Sequence, residues 1–131
     1  MTALDDLLDV AHETLDHHPS ILAATVVHHG DEITLALAGE LDVTAVKSVH
    51  EAIAPLLGED PARLSIDLSE LEFCDCGGLR VLRWAAHQAA ERGIAFQLLT
   101  PNALVRRLFA LTRAEELSSA CRTDSRHDRP V

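Results

Sequence analysis

The chain has 131 residues, 47% of them hydrophobic and 3% aromatic, with 11 Lys and Arg against 21 Asp and Glu and a formal net charge of −10. This length fits one domain with an aliphatic core, and the negative charge disfavours binding to bare nucleic acid or to an anionic membrane surface. The three cysteines, without a signal peptide or an apolar run long enough for membrane insertion, predict reduced thiols and a cytoplasmic protein.

The first predicted element is an amphipathic helix, which with its linker occupies residues 1–20. Its apolar side chains recur at helical spacing, with acidic side chains on the opposite face. The apolar stripe consists of Leu4, Leu7, Leu8, Ala11 and Leu15, and the acidic face of Asp5, Asp6, Asp9 and Glu13. Pro19 ends the pattern.

Two strands and a helix come next. Residues 21–27 and 32–38 are rich in aliphatic and β-branched side chains, and the turn residues 29–31 between them predict an antiparallel hairpin. Residues 39–42 are expected to end the second strand. Apolar spacing then predicts a helix over 44–57, capped by Asp42 or Thr44.

The second half alternates strands and helices. We expect a strand at 63–73, a helix at 77–92 followed by Gly93, and a strand at 94–99. A helix opened by Pro101 then runs to Leu111. A short edge strand is expected at 117–121, and the polar residues 122–131 form a tail predicted to be disordered.

This order predicts an α/β fold, with a mixed four- to five-stranded sheet packed with helices and a domain spanning residues 21–121. In such folds the loops after the strands gather at one sheet edge, where a site is expected. Two loops, 39–42 and 73–79, each carry an acidic residue, Asp42 and Asp75. An acid/base pair is one interpretation, but nothing in the sequence ties a nucleophile, histidine or lysine to them, and helix capping is the commoner role.

The motifs around these loops resemble the STAS domain of bacterial anti-sigma factor antagonists. The resemblance runs in order from about Thr25 to Cys121 and leaves the predicted N-terminal helix outside it. It rests on Gly39-Glu40-Leu41-Asp42, Ile66-Asp67-Leu68-Ser69, Phe73-Cys74-Asp75-Cys76-Gly77-Gly78-Leu79 and Val105-Arg106-Arg107-Leu108-Phe109.

The resemblance implies a non-enzymatic partner-switch protein that binds an anti-sigma factor, itself a serine kinase with a GHKL-type ATP site. In that family the turn normally contains Asp-Ser-Ser/Thr-Gly, and phosphorylation of the first hydroxyl residue releases the partner. Here Cys76 and Gly77 occupy those two positions. The family implies a partner surface that includes Asp42, and we centre it on Asp75, Cys76, Gly77 and Gly78.

Cysteine is close to serine in size but is no substrate for an ordinary serine kinase, so Cys76 is expected to mimic the unphosphorylated state. A second hypothesis makes Cys76 a redox switch, because a helix start lowers the pKa of a thiol and a sulfinate would add negative charge. The neighbouring Asp75 carboxylate opposes thiolate formation. A third treats Cys74 and Cys76 as small apolar side chains near the sheet edge.

The helix after this turn carries a second candidate surface. Arg80 and Trp84 fall on one polar stripe, and with Arg83 they are predicted to extend the docking surface, since Trp and Arg are common interface anchors. The alternative is that Trp84 lies against a neighbouring helix.

No pair of the eight histidines has the spacing and acidic company of a metal site, so no metal and no cofactor are expected. An alternative function is a STAS-like subunit of a membrane transport or lipid-trafficking ATPase complex, and another is a thiol-based sensor. The N-terminal helix is assigned three alternative roles: covering the sheet, pairing two copies into a homodimer, or binding the partner.

Overall fold

The hairpin predicted near the start of the domain forms one edge of the sheet. A computed structural model describes residues 22–122, in which β1 (Leu22–His29) pairs antiparallel with β2 (Glu32–Leu41). Gly30 opens the tight turn between them with a φ of 68°, which only glycine adopts without strain. The prediction of a hairpin is therefore confirmed.

Three parallel strands continue the sheet beyond β2. They are β3 (Arg63–Cys74), β4 (Ala95–Leu99) and β5 (Cys121–Arg122), and they complete a five-stranded sheet in the order β1-β2-β3-β4-β5. The predicted mixed sheet of four to five strands is therefore confirmed, with five strands. Two predictions lie outside the described residues: the helix in residues 1–20 and the tail after residue 122.

Helices fill the connections between the parallel strands. A 3₁₀ turn (Val43–Ala45) leads into α1 (Val46–Gly58) between β2 and β3, and α2 (Cys76–Glu91) joins β3 to β4. Two further helices, α3 (Ala103–Leu111) and α4 (Glu115–Ala120), join β4 to β5. The buried side chains of α1 to α4 form one contiguous aliphatic core with the sheet.

Buried and less buried side chains alternate along the strands, which places the core side chains on one face of the sheet. In β2, Ile33, Leu35 and Leu37 are buried, whereas Thr34 and Ala36 between them are only half-buried. The central strand β3 buries Leu64, Ile66 and Leu68 on the same face. Helices thus cover the aliphatic face, and this packing fixes the register of each strand.

Three elements differ from the sequence prediction. Residues 39–41 do not end β2 but belong to it, because two register shifts against β3 carry the pairing past Gly39 to Leu41. Residues 117–120 belong to α4 and not to an edge strand, since α4 buries Leu117 in the core. Arg122, assigned to the tail, pairs with Leu99 as the last residue of β5.

Candidate functional site

The predicted site lies where β2 and β3 end side by side. These strands are parallel, and their last paired residues are Leu41 and Cys74. Each strand is followed at once by an aspartate and then by the start of a helix. Two helix N-termini, with their free backbone N–H groups, therefore meet at one sheet edge.

Asp75 ties the two loops together. Its Oδ1 accepts a hydrogen bond from the Gly78 backbone N–H at 3.0 Å, which caps α2, and its Oδ2 accepts one from the Val43 N–H at 3.2 Å. Its own backbone N–H donates to the Leu41 carbonyl at 3.2 Å. One side chain thus satisfies free N–H groups at both helix starts and fixes their relative position.

Asp42 has a similar but local role. Its Oδ1 accepts hydrogen bonds from the backbone N–H of Thr44, at 3.0 Å, and from the Thr44 hydroxyl. Of the two predicted caps, Asp42 is therefore the one that caps the 3₁₀ turn. Since Asp42 and Asp75 both accept from backbone amides at helix starts, their geometry matches capping better than it matches an acid/base pair.

Gly77 and Gly78 let α2 approach the end of β2. A Cβ atom added to Gly78 would lie 2.5 Å from the Leu41 carbonyl oxygen and 2.9 Å from the Cys74 Sγ. At Gly77 the nearest atom would be the Val43 Cα, at 3.2 Å. These two predicted site residues therefore allow a close backbone approach, and Gly77 brings the loops into contact at the surface.

The two cysteines of the turn face different surroundings. Cys74 is buried, and its thiol lies 3.5 Å from the Asp75 carbonyl oxygen. Burial, with the neighbouring Asp75 carboxylate as a smaller cause, raises the pKa of the Cys74 thiol to about 12. Cys76 is exposed at the first residue of α2. The prediction that treats both cysteines alike therefore fits only Cys74, which packs as a small apolar side chain.

A groove of about 440 Å³ opens beside this turn, between α1 and the start of α2. Its apolar wall includes Val43, a residue with 69% of its surface exposed. Its charged rim combines two cations with one acid. The lining residues are Val43, Val46, Lys47, His50, Glu51, Gly77 and Arg80.

Trp84 lies next to this groove but does not project freely into solvent. Its ring stacks on His50 of α1 with 3.8 Å between the ring centroids and an interplanar angle of 24°. Of the two interpretations of Trp84, the contact with a neighbouring helix is therefore the observed one. The half-buried indole still forms part of the surface beside the groove.

The two arginines predicted to extend the docking surface have different surroundings. Arg80 lines the groove, whereas Arg83 pairs with Glu116 of α4, with Nε and Oε2 2.8 Å apart. Sequence reasoning missed Val43, Lys47 and His50, which come to the site from α1 and the turn before it. The signal that was available is their position within the eight residues after Asp42, at the start of the predicted helix.

The fold and this edge define a small α/β domain in which two helix N-termini and a groove lie together at the end of β2 and β3. A family model described as "Mlab, STAS domain" matches residues 24–119. The chain therefore belongs to the STAS family, which confirms the resemblance found in its motifs.

Known relatives agree with this assignment. The chain is 29% identical over 89 residues to the anti-sigma-F factor antagonist RsfB of Mycobacterium tuberculosis, an alignment covering 68% of this chain and 72% of RsfB. A crystal structure of an anti-sigma factor antagonist from Mycobacterium paratuberculosis superposes with a TM-score of 0.66 at 24% identity, covering 72% of this chain and 80% of that one.

Unphosphorylated SpoIIAA, also an anti-sigma factor antagonist, superposes with a TM-score of 0.69 at 18% identity, covering 81% of this chain and 91% of that one. At these identities the solved structures establish the shared fold. Among residues 22–122, no helix combines the length and apolar character needed to cross a bilayer.

Proposed function

We propose that this protein is an anti-sigma factor antagonist that acts by docking and not by catalysis. The observation that carries the proposal is the Asp75 bridge, which holds the start of α2 to the 3₁₀ turn before α1, with the exposed Cys76 next in sequence to Gly77, which lines the groove. The similarity to RsfB supports the same class of partner, an anti-sigma factor. The encounter takes place in the cytoplasm, with an anti-sigma factor that is a GHKL-type serine kinase.

The groove suggests the chemistry of the docking segment. Val43 offers exposed apolar surface, and Lys47 and Arg80 offer positive charge in a chain whose net charge is −10. A partner segment with an apolar side chain flanked by carboxylates would match this surface. Asp42, Gly77 and Trp84 lie around the same contact area.

Cys76 makes this antagonist insensitive to the usual release signal. It occupies the exposed position at which a hydroxyl residue would take a phosphate, next to free N–H groups at the start of α2. A phosphate there would add about two negative charges to the docking surface and expel the partner. Without the hydroxyl, the protein stays in its binding-competent form in the presence of kinase and ATP.

Binding to a purified GHKL-type anti-sigma factor, with and without ATP, tests this function. We expect equal affinity in both conditions and no ³²P label on the turn. Cys76→Glu should weaken binding at least tenfold, and Cys76→Ser should bind as wild type but acquire label. Cys121→Ser, a thiol change on β5, serves as the matched control. Phosphorylation of the wild-type turn would refute the proposal, and so would an affinity for the anti-sigma factor that is unchanged in Cys76→Glu.

A second candidate function follows from the description of the matching family model, which carries the name Mlab. In this alternative the chain is a STAS subunit of a membrane transport or lipid-trafficking complex, and the same docking surface binds the transporter ATPase. Mass spectrometry of proteins captured by the tagged native chain separates the two. A GHKL-type kinase supports antagonist function, and an ABC-type ATPase supports the transport complex.

A thiol-based sensor is the third candidate, favoured only by the exposure of Cys76. If it is correct, mild peroxide should weaken partner binding, and Cys76→Ser should abolish that sensitivity. Unchanged binding after peroxide treatment removes this candidate.

A further inference from the structure

Strand β1 is an edge of the sheet whose outer side no described strand pairs. Within residues 22–122 the strand order is β1-β2-β3-β4-β5, so β1 pairs only with β2. An exposed edge strand offers a row of backbone N–H and C=O groups to another chain. At the opposite edge, β5 is only two residues long and offers few such groups. The eight residues of β1 therefore form the longer of the two sheet edges.

Natural edge strands commonly carry features that prevent further pairing, and β1 has none of them. Those features are lysine or another charged side chain, proline, and a β-bulge. Strand β1 contains no Asp, Glu, Lys, Arg or Pro, and its pairing with β2 runs without a register shift. Its two imidazole rings are held within the molecule, His28 by Glu59 and His29 by Thr34, each at 3.0 Å. The edge is therefore regular and has no permanently charged side chain.

The turn at Gly30 shows which backbone groups of β1 point outward. His29 and Glu32 pair across this two-residue turn, and in such a hairpin the closing pair exchanges its N–H and C=O groups. Hydrogen-bonded and non-hydrogen-bonded pairs alternate along antiparallel strands, so the odd-numbered residues of β1 bond to β2. The even-numbered residues, which include Ala24 and Val26, direct their N–H and C=O groups away from the sheet.

The side chains of β1 also leave apolar surface for a partner strand. Those of Leu22, Ala24 and Val26 pack against the core but stay half-buried. On the other face of the sheet, Ala23 and Val27 are exposed, and Val27 retains 50% of its surface. A strand added beside β1 would cover part of both rows as well as pair the outward backbone groups.

Charge favours a second copy of this chain as the added strand. Each molecule has a net charge of −10, so two copies repel each other on average, whereas two β1 strands without permanent charge can approach closely. The edge is also self-complementary. Antiparallel pairing about a two-fold axis places the outward backbone groups of one β1 against the same groups of the other, and this is the commonest symmetry of protein oligomers.

We propose that this protein forms a two-fold symmetric homodimer in which the β1 strands of two copies pair antiparallel and join the two sheets into one. The exposed Thr25 lies near the middle of β1, so its two copies lie close to the two-fold axis. The inference does not rest on the proposed function, because β1 contributes no residue to the groove between α1 and α2.

Sedimentation velocity of the full-length chain across micromolar concentrations tests the dimer. Wild type should change from a monomer of 14.2 kDa to a species of twice that mass as the concentration rises. Thr25→Lys and Thr25→Glu should each weaken association at least about tenfold, because each brings two like charges together near the axis. An equimolar mixture of these two variants should recover the dimer, since opposite charges then meet. Circular dichroism checks that each variant is folded.

Amide hydrogen exchange followed by NMR spectroscopy at low and high protein concentration locates the contact. The outward amides of Ala24 and Val26 should exchange at least about tenfold more slowly at the high concentration. The amides of Thr25 and Val27 already bond to β2 and should change little. Equal exchange of the Ala24 and Val26 amides at both concentrations, in a sample that sediments as a dimer, places the dimer contact elsewhere and overturns the proposal.

Matched controls change other exposed positions. Ser118→Lys adds the same charge on α4, and Leu111→Ser makes a 74% exposed side chain of α3 polar, so both should leave association unchanged. A wild type that stays monomeric at every concentration overturns the proposal, and so does a dimer that Thr25→Lys leaves intact. Failure of the two charged variants to associate when mixed also overturns it. Association that is lost in Leu111→Ser and kept in Thr25→Lys overturns it in favour of a contact through α3.

Discussion

Replacing Gly78 by alanine adds a single methyl group at the closest approach in the site. The new Cβ would lie 2.5 Å from the Leu41 carbonyl oxygen, 2.7 Å from the Leu41 Cγ and 2.9 Å from the Cys74 Sγ. The carbonyl belongs to a paired strand and cannot move away by a change of rotamer. Strand β2 and helix α2 must therefore separate, or the loop must deform.

The size of the effect follows from two opposing contributions. Overpacking a well-packed site costs about 1–3 kcal/mol, and the contact with backbone places Gly78→Ala near the upper end. Alanine regains at most about 1 kcal/mol of helix propensity over glycine, and less in the first turn. We expect a net loss of about 2 kcal/mol in the free energy of unfolding, or a Tm lower by about 8–16 °C for a domain of this size.

Urea denaturation followed by circular dichroism measures this change. The matched control is Gly58→Ala, at the last residue of α1, where no atom lies within 4 Å of an added Cβ. The control should be neutral or slightly stabilising, because only helix propensity changes. Equal stability of Gly78→Ala and Gly58→Ala would refute the close approach as the reason for a glycine at position 78.

Three further predictions concern the same edge. Asp75→Ala removes the cap of α2 and the bond to the Val43 N–H, so the free energy of unfolding in urea should fall by about 2 kcal/mol, against less than about 0.5 kcal/mol for the exposed Glu72→Ala. The raised pKa of Cys74 means that its contribution to stability is fully present below pH 9.0 and is lost as the pH rises towards about 12. Urea midpoints measured across that range should therefore fall less steeply in Cys74→Ala than in wild type, and parallel curves would contradict this assignment. Trp84 is the only tryptophan, so His50→Ala should shift its fluorescence emission to longer wavelength by unstacking the two rings, whereas His87→Ala, which breaks only the pair with Glu91, should not.

Local sequence signals predicted an element correctly where a single residue type marks it, as glycine marks a tight turn and aspartate marks the start of a helix. Gly30 between two aliphatic runs predicted the hairpin. Helix capping was the commoner role expected for Asp42 and Asp75, and Asp75 does cap α2, whereas Asp42 caps the 3₁₀ turn that precedes α1. Helix α4 was missed because its N-cap residue, Ala114, offers no side-chain hydrogen bond and because the helix is only six residues long. Its position depends on Leu117 entering a core shared with distant elements, which no local pattern records.

Only part of the site could be predicted, because local patterns do not record contacts between distant elements. The turn of residues 75–78 was found because it follows a predicted strand and resembles the turn motif of the STAS family. The groove was not, since it exists only where Lys47 and His50 of α1 face Arg80 of α2. Residues 39–42 were expected to end the second strand, but Gly39, at a φ of 110°, lies between register shifts that carry β2 on to Leu41.

Neighbouring residues of the turn differ in how far they support the fold. Asp75 bridges two helix starts, Gly78 admits the end of β2, and Cys74 is buried, so a change at any of these positions alters the scaffold. Cys76 is exposed, and replacing its side chain leaves those contacts in place. Position 76 can therefore change its chemistry at little cost to the fold, and the proposed function requires this if a hydroxyl residue is replaced by cysteine while the docking surface is kept. On this reasoning, Cys76→Ser should differ from wild type in its response to kinase and ATP and not in its free energy of unfolding.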